Sequence, residues 1–375
     1  MKEMKEMKEM KEMKEYQSLS WYAARIKPHL PKEAFKPVPS RLLGGLAFLV
    51  VIVAGFLAVG LLELNLWLNL LIAFVLGACY ASLGFLGHEI LHGTVVRKPW
   101  LRDLLGAISF WPLCTGPSLW RKWHNMNHHV HTQDEHKDPD AWITAEHLEK
   151  NKLVRLMYRI PLFIRATFSL FSLAMTFTVH SSRMFKVYIK DFDPRNRPKV
   201  WLQLILPWAS WIGLLFWIGF TNWIFVFLLP LLIANFIVMS YISTNHRLNP
   251  LVPVNDPLAN SLSVTVPKWV DAIHFNFSYH TEHHLFPSIS PKYYPLVKEQ
   301  IKQRWPERYH EMPFLQAMIA LFKTPRLYYQ QNELVDPRAG NRYGSLGHGL
   351  DPNNISYQNP GEALPTSEKP KNKNV

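Results

Sequence analysis

LLGGLAFLVVIVAGFLAVGLLELNLWLNLLIAFVLGACYASLGFLGHEILH, residues 42–92, carries a single charged side chain, Glu63, before it reaches His88 and Glu89. The 46 residues from Leu42 to Gly87 are about twice the roughly 20 that a helix needs to cross a bilayer core of about 30 Å. The pattern predicts two membrane spans, about 42–62 and 66–87, turning near Glu63 to Asn65. A second stretch of 46 residues, Val200 to Asn245, has no charge at all and predicts spans at about 200–220 and 223–244, turning near Thr221 and Asn222. A buried hairpin in a soluble protein is the alternative for each stretch, and uncharged runs of this length argue against it.

Lys and Arg set the orientation, because they are retained on the cytoplasmic side of short loops. None occurs from Leu42 through Val96 or from Val200 through His246, whereas seventeen lie from Arg97 through Lys199. Both terminal regions are also basic. The termini and the central segment are therefore expected in the cytoplasm. The net charge of +13 and a pI near 9.6 follow from this pattern. Charge that alternates with spans reads as topology and attraction to anionic lipid rather than as a nucleic-acid surface.

Eight of the seventeen histidines fall in three clusters: His88 and His92 in HEILH, His124, His128 and His129 in HNMNHH, and His280, His283 and His284 in HTEHH. Spacings of three and four put imidazoles on one helix face, where several can converge on metal. All three clusters share the cytoplasmic face if the number of crossings between them is even. Two shorter apolar segments bear on that condition. Leu104 to Trp120 contains Pro112 and Pro117, and Ala166 to Val179 has 14 residues between Arg165 and His180. Both read as helices lying in the interface, with packing against the bundle an equal account of the second.

A cluster of imidazoles suits zinc, copper, iron or nickel. One metal rarely takes more than four protein imidazoles, so eight or nine imply two metals. The ninth is His246, directly after the fourth expected span. Cys79 and Cys114 lie in apolar segments and form neither a disulfide framework nor a CxxC site. Five Met-Lys-Glu copies open the chain and read as a solvated helix or disordered tail. No short apolar region with a cleavage site precedes the first span. After about Tyr329 the polar composition, rich in Gly, Pro and Asn, predicts disorder. The expected organisation is a tail over 1–41, a membrane domain over 42–328 and a disordered tail over 329–375. As a fold class this is an all-α membrane protein, four transmembrane helices in two hairpins under a cytoplasmic helical cap that carries the histidines.

The order HxxxH, HxxxHH, HxxHH, with the first and third clusters each following a helical hairpin, resembles the membrane fatty acid desaturases. HNMNHHVHTQDEHKDPDAW resembles that family's second histidine box with its DPD-like element, here Asp138, Pro139 and Asp140. HTEHHLFPSISPKYY resembles the third box of the acyl-lipid branch, with His283, His284, Leu285, Phe286 and Pro287 as its HHLFP. The resemblance covers roughly Leu42 to Gln300. It implies a non-haem site of two iron ions held by His88, His92, His124, His128, His129, His280, His283 and His284, with His246 matching the family's isolated late histidine. It also implies dioxygen as co-substrate and a double bond introduced into an acyl chain.

Two electrons must then come from outside. The chain has no CxxCH haem attachment, no GxGxxG fingerprint and no HPGG element. A separate ferredoxin or cytochrome docking on the cytoplasmic face is expected, with a membrane lipid or acyl thioester as substrate. Ligating histidines usually donate their second N–H to a carboxylate or carbonyl, for which Glu89, Asp138, Asp140, Asn276 and Glu282 are candidates. Each of these also reads as an ordinary structural polar residue. Trp111, Trp120 and Trp123 are candidates for the wall of an acyl tunnel, an interfacial aromatic belt being the simpler account of any one.

Rival functions leave more unexplained. HEILH is also an HExxH, the signature of zinc metalloproteases with Glu89 as general base, but that role uses few of the histidines. Glu89 to His92 and Glu307 to His310 match the ExxH pairs of carboxylate di-iron proteins, without the further Glu pair those require. A zinc transporter would place its ligands within the spans, not at their ends. A lipid hydroxylase using the same site shares the first hydrogen abstraction and is the near alternative. The third box begins with His280 where many front-end desaturases have Gln, which leaves the position of attack open.

Overall fold

The computed structural model describes residues 16–356 and 359–360. The Met-Lys-Glu copies and residues 361–375 lie outside them. Helices dominate. Ser18 caps α1 (Leu19–Ile26) by accepting from the Trp21 N–H. Next come α2 (Arg41–Leu61) and α3 (Leu66–His92). The Asn65 side chain caps α3 at its start by accepting from Leu68 N–H, and Gly93, at φ +78°, closes its end, a conformation that costs glycine nothing. α4 (Pro99–Phe110), a 3₁₀ turn (Trp111–Leu113) and a short helix (Pro117–Trp120) follow, so the Leu104 to Trp120 segment, read from the sequence as one interfacial helix, is divided at Pro112 and Pro117. The last piece runs directly into a π-helical segment, Arg121–His128.

Beyond it lie α5 (Leu162–Tyr188), α6 (Arg197–Ile218), a π turn (Ile224–Leu228) and α7 (Leu229–His246). Among the described residues, five helical stretches are long and apolar enough to cross a membrane: Arg41–Leu61, Leu66–His92, Leu162–Asp191, Arg197–Ile218 and Phe220–His246. The sequence suggested four. The additional one, Leu162–Asp191, contains α5, which runs unbroken for 27 residues instead of stopping at the 14-residue apolar core. No Gly or Pro interrupts it. Arg165, which seemed to end the apolar run, is itself buried, with its guanidinium 4.1 Å from the Tyr158 ring centroid and its Nη2 3.8 Å from Asp336.

The centre of the molecule is the pair α3 and α7. Every residue of α3 from Cys79 to Leu91 is buried. Gly77 sets how closely the pair approaches, because a Cβ there would stand 2.6 Å from the Ile233 Cβ. The Tyr80 hydroxyl donates to the Val226 carbonyl in the π turn, which satisfies two buried polar groups at once. Strand β1 (Ser263–Thr265), α8 (His280–Leu285), α9 (Tyr294–Arg304), strand β2 (Glu311–Pro313) and α10 (Phe314–Lys323) complete the helical part, with β1 and β2 paired in parallel.

Both ends depart from the expected tails. Tyr22, Ile26, Leu30 and Ala34 form one apolar cluster with Leu285, Phe286 and Tyr294, so the segment before Arg41 packs directly against the third histidine cluster. After α10, strands β3 (Tyr328–Gln330), β4 (Glu333–Val335), β5 (Asn341–Gly344) and β6 (Asn359–Pro360) pair antiparallel in order. Disorder was expected here. The averaged composition hid a few well-placed apolar side chains: Leu334, Val335, Leu346 and Leu350 are all buried.

Candidate metal centre

α3 delivers His88 and His92 at its last turn, and α7 delivers His246 at its own last residue. The π-helical segment presents His124 and His128, with His129 just beyond it. Its wider turn is a recurrent device at functional sites. α8 supplies His280, His283 and His284. One nitrogen from each of His88, His92, His124, His129 and His283 lies within a 4.8 Å group, and a second such group contains His128, His246 and His284. His280 joins the second group: its Nε2 is 2.7 Å from His246 Nε2 and 3.1 Å from His284 Nε2. The structure thus gathers all nine histidines singled out in the sequence, five on one side and four on the other.

Three contacts link the first group into a chain: His88 Nε2 to His124 Nε2 at 3.2 Å, His124 Nε2 to His129 Nε2 at 3.0 Å, and His129 Nε2 to His283 Nε2 at 3.0 Å. Hydrogen bonding cannot satisfy that chain, because each Nε2 offers either one proton or one lone pair, never both. Metal ligation can. Two nitrogens bound about 2.1 Å from one metal at a right angle sit about 3.0 Å apart. The unpartnered, buried Nε2 of His92 fits the same account. Burial, reinforced by neighbouring imidazoles, lowers the pKa of His124, His129, His280, His283 and His284, which keeps them neutral as ligation requires. His128 is the exception. Burial opposes its protonation, but Asp138 and Asp140 outweigh it and push the pKa up to about 9.

Four of the Nδ1 atoms have their own partners, whereas those of His129 and His280 are buried without a hydrogen bond. His128 Nδ1 is 2.9 Å from Asp138 Oδ1, His246 Nδ1 is 3.0 Å from the Asn260 carbonyl, His283 Nδ1 is 2.9 Å from the Tyr294 hydroxyl, and His284 Nδ1 is 3.2 Å from Thr132 Oγ1. Such contacts fix ring orientation and leave Nε2 for the metal. Of the five polar candidates read from the sequence, Asp138 occupies this position. Asp140 lies 3.6 Å from His128 Nδ1 and bonds more closely to His180, at 2.7 Å. Glu89 faces Arg41, whose Nη2 also donates to the Phe275 carbonyl and whose Nη1 reaches Asn276 Oδ1. Glu282 accepts from Ser263 and Tyr309 hydroxyls at 2.6 and 2.5 Å. Tyr294, Thr132, Asn260, Arg41 and His180 were not found from the sequence, since only tertiary contact marks them. Neither Glu307 nor His310 belongs to a metal-ligating group among the described residues.

A narrow apolar cavity of about 40 Å³ touches the centre. Trp120, Trp123, Phe110, Phe177, Val238 and Ile242 are among its walls, beside His88, His124, His128, His246 and His280. Trp111 stands elsewhere, its indole N–H donating to Ser210.

Among the described residues the protein combines five apolar helical stretches, nine imidazoles that could hold metal, and an apolar cavity touching them, the parts of a membrane protein with a metal-binding site. The profile of the fatty acid desaturase family matches residues 65–316, and the chain belongs to that family. It is similar to the sn-1 oleoyl-lipid 12-desaturase of Synechocystis sp., with 26% identity over 84% of this chain and 90% of that one. The sn-1 acyl-lipid omega-3 desaturase (ferredoxin) of the same organism is 24% identical over 80% of this chain and 86% of its own length. The chloroplastic omega-6 fatty acid desaturase of spinach, Spinacia oleracea, is 23% identical over 74% and 63%. The chain is a fatty acid desaturase, an oxidoreductase, and an integral membrane protein.

Proposed function

We propose that this desaturase acts on acyl chains carried by membrane glycerolipids and holds two iron ions through the nine histidines. The observation that carries the reading is the division of those imidazoles into groups of five and four above an apolar cavity. The bound iron pair would supply the oxidising power, drawn from dioxygen, two external electrons and two protons, to remove two hydrogens and leave a double bond and two waters. The protein's own part is positional. Tyr294, Asp138, Thr132 and Asn260 hold the imidazoles in place, and the aromatic walls keep water from the reacting methylenes. The lipid-linked substrate follows from the names of the similar desaturases and from the HHLFP element.

The reading includes four spans in two hairpins with the centre at the cytoplasmic face. Parity supports it. α3 and α7 both end at the metal centre, and the α6–α7 hairpin accounts for two crossings, so α5 contributes none. Two points in the middle of α5, 11 residues apart, bond to the segments around the site: Arg326 reaches Ser169, and His180 reaches Asp140. Its outer face, with Phe163, Phe168, Phe171, Met175 and Val179 exposed, suits a helix lying in the interface. The polybasic central segment supports the sidedness. Electrons come from a separate ferredoxin or cytochrome, as the parenthesis in one relative's name suggests.

The test is the fatty acid profile of a bacterial host expressing the chain with a ferredoxin system, with double bonds located by mass spectrometry and His283→Ala as control. A new unsaturated acid that vanishes in the control is expected. A new hydroxy acid would transfer the assignment to a hydroxylase.

A further inference from the structure

A second cavity, of about 440 Å³, borders a different face of α7 from the one that meets the metal centre. Val238 and Ile242 of α7 line the narrow cavity at the metals, whereas Phe236, Ile237, Ser240 and Tyr241 line this one. Its other walls come from the turn after β1, from Val270 and His274, and from the start of α10. No Asp, Glu, Lys or Arg is among them. Its size lies within the range of about 300–1,000 Å³ usual for small-molecule sites.

Two features say what it holds. At its edge, Phe236 is 37% and Leu315 70% exposed, and neighbouring Trp269 is 68% exposed beside Lys268, the pair expected where hydrocarbon meets headgroups. Only hydrocarbon suits such a mouth on a helix that spans the bilayer. Inside, a single aromatic layer separates the cavity from the metals. Tyr241 donates to or accepts from His274 Nδ1 at 3.0 Å, Phe85 packs 5.5 Å from Tyr241 and 5.1 Å from His274, and Phe85 stacks on Phe277 at 4.4 Å. Phe277 in turn lies 5.1 Å from His88 and 5.7 Å from His280. An acyl-lipid stays anchored in the bilayer by its glycerol and second chain, so its reacting chain must approach from the membrane side. An apolar cavity without charged walls holds water poorly and takes apolar guests instead.

We propose that this lateral cavity seats the acyl chain of a bilayer glycerolipid on its way to the metal centre, with the Phe85–Phe277 layer as the partition between seat and site. This rests on the acyl-lipid reading above.

The experiment uses the full-length, iron-loaded protein in lipid nanodiscs containing an oleoyl glycerolipid with a diazirine in the chain, supplied with dioxygen and a ferredoxin kept reduced. Photolabel is expected on the buried residues Ser240 and Tyr241 and within 265–274, displaced by excess unlabelled oleoyl glycerolipid. Val270→Trp, which fills the cavity, is expected to lower both this label and desaturation at least about tenfold, in line with the cost of an obstructed apolar pocket, with iron content unchanged. Val270→Leu is expected to keep both. Undiminished desaturation in Val270→Trp, or product from the wild type without displaceable label at Ser240 and Tyr241, would overturn the seat while leaving the desaturase reading intact. Displaceable label without any unsaturated product would overturn the acyl-lipid reading and leave the seat standing.

Discussion

His129 and His283 bring their Nε2 atoms to 3.0 Å although 154 residues separate them in the chain. No local structure forces that meeting. It arises because the π-helical segment and α8 converge on the end of α3, and metal ligation is the interaction that makes such a contact favourable. Under the proposed ligand set, the second and third clusters depend on each other for iron.

Removing one imidazole tests that dependence. His283→Ala or His128→Ala should lose bound iron and desaturation together, while the protein still inserts into the membrane. Metal analysis of the purified variant beside the wild type reads the first, and the lipid profile reads the second. Full activity in either variant would remove that residue from the ligand set.

Tyr294 makes a subtler case. Its hydroxyl, 2.9 Å from His283 Nδ1, orients a ring without touching metal. Tyr294→Phe should weaken iron binding about 10- to 100-fold, the usual range for partners of metal-bound histidines, and should leave the fold intact. Iron retention during titration with a chelator measures the effect. Retention equal to the wild type would reduce Tyr294 to packing.

The Arg41–Glu89 pair separates two readings of HEILH. Glu89 is 3% exposed and its carboxylate is taken up by the Arg41 guanidinium, which also ties the Phe275 carbonyl that precedes the third cluster. A general base would need a free carboxylate facing the metal. Removing one partner of a buried pair costs about 3–5 kcal/mol. Arg41→Ala should accordingly lower the melting temperature in detergent, and Glu89→Gln should leave part of the desaturase activity. Complete loss in Glu89→Gln with normal stability and iron would point to a catalytic carboxylate instead.

What the sequence made legible was what repeats locally. Charge-free runs located the long helices, spacings of three and four located eight of the histidines, and the end of a charge-free run located His246, because these patterns are properties of a single helix. Partners supplied by another part of the chain left no such trace. Tyr294 follows His283 by 11 residues, and Arg41 precedes Glu89 by 48. The extent of α5 was missed because a charge was taken as the end of an apolar run, yet Arg165 is buried against Tyr158 within the helix. The β-sheet after Tyr328 was missed because mean composition outweighed the few side chains, such as Leu334, that do the packing.

Gln133 shows how far such a partner reaches. It is buried, its φ of 61° is in the left-handed region, and that conformation costs a residue with a Cβ roughly 1–2 kcal/mol. Its side-chain amide explains why the position is occupied by Gln. Nε2 stands 3.0 Å from the His246 carbonyl, 3.3 Å from those of Asn249 and Pro250, and 3.1 Å from the Tyr328 hydroxyl. One residue thus ties the segment after the second cluster to the end of α7 and to β3. Gln133→Leu keeps the backbone strain and removes the donor, leaving the His246 carbonyl at the helix end without this partner. A buried acceptor stripped of its partner costs about 1–3 kcal/mol. The variant should unfold at lower temperature and lose iron selectively from the group that contains His246, so that metal analysis of the purified protein falls from two iron ions per chain toward one. Gln133→Glu should do worse than Leu, because a carboxylate would face four oxygens. Equal stability and iron content in all three proteins would show that the amide does not hold the end of α7.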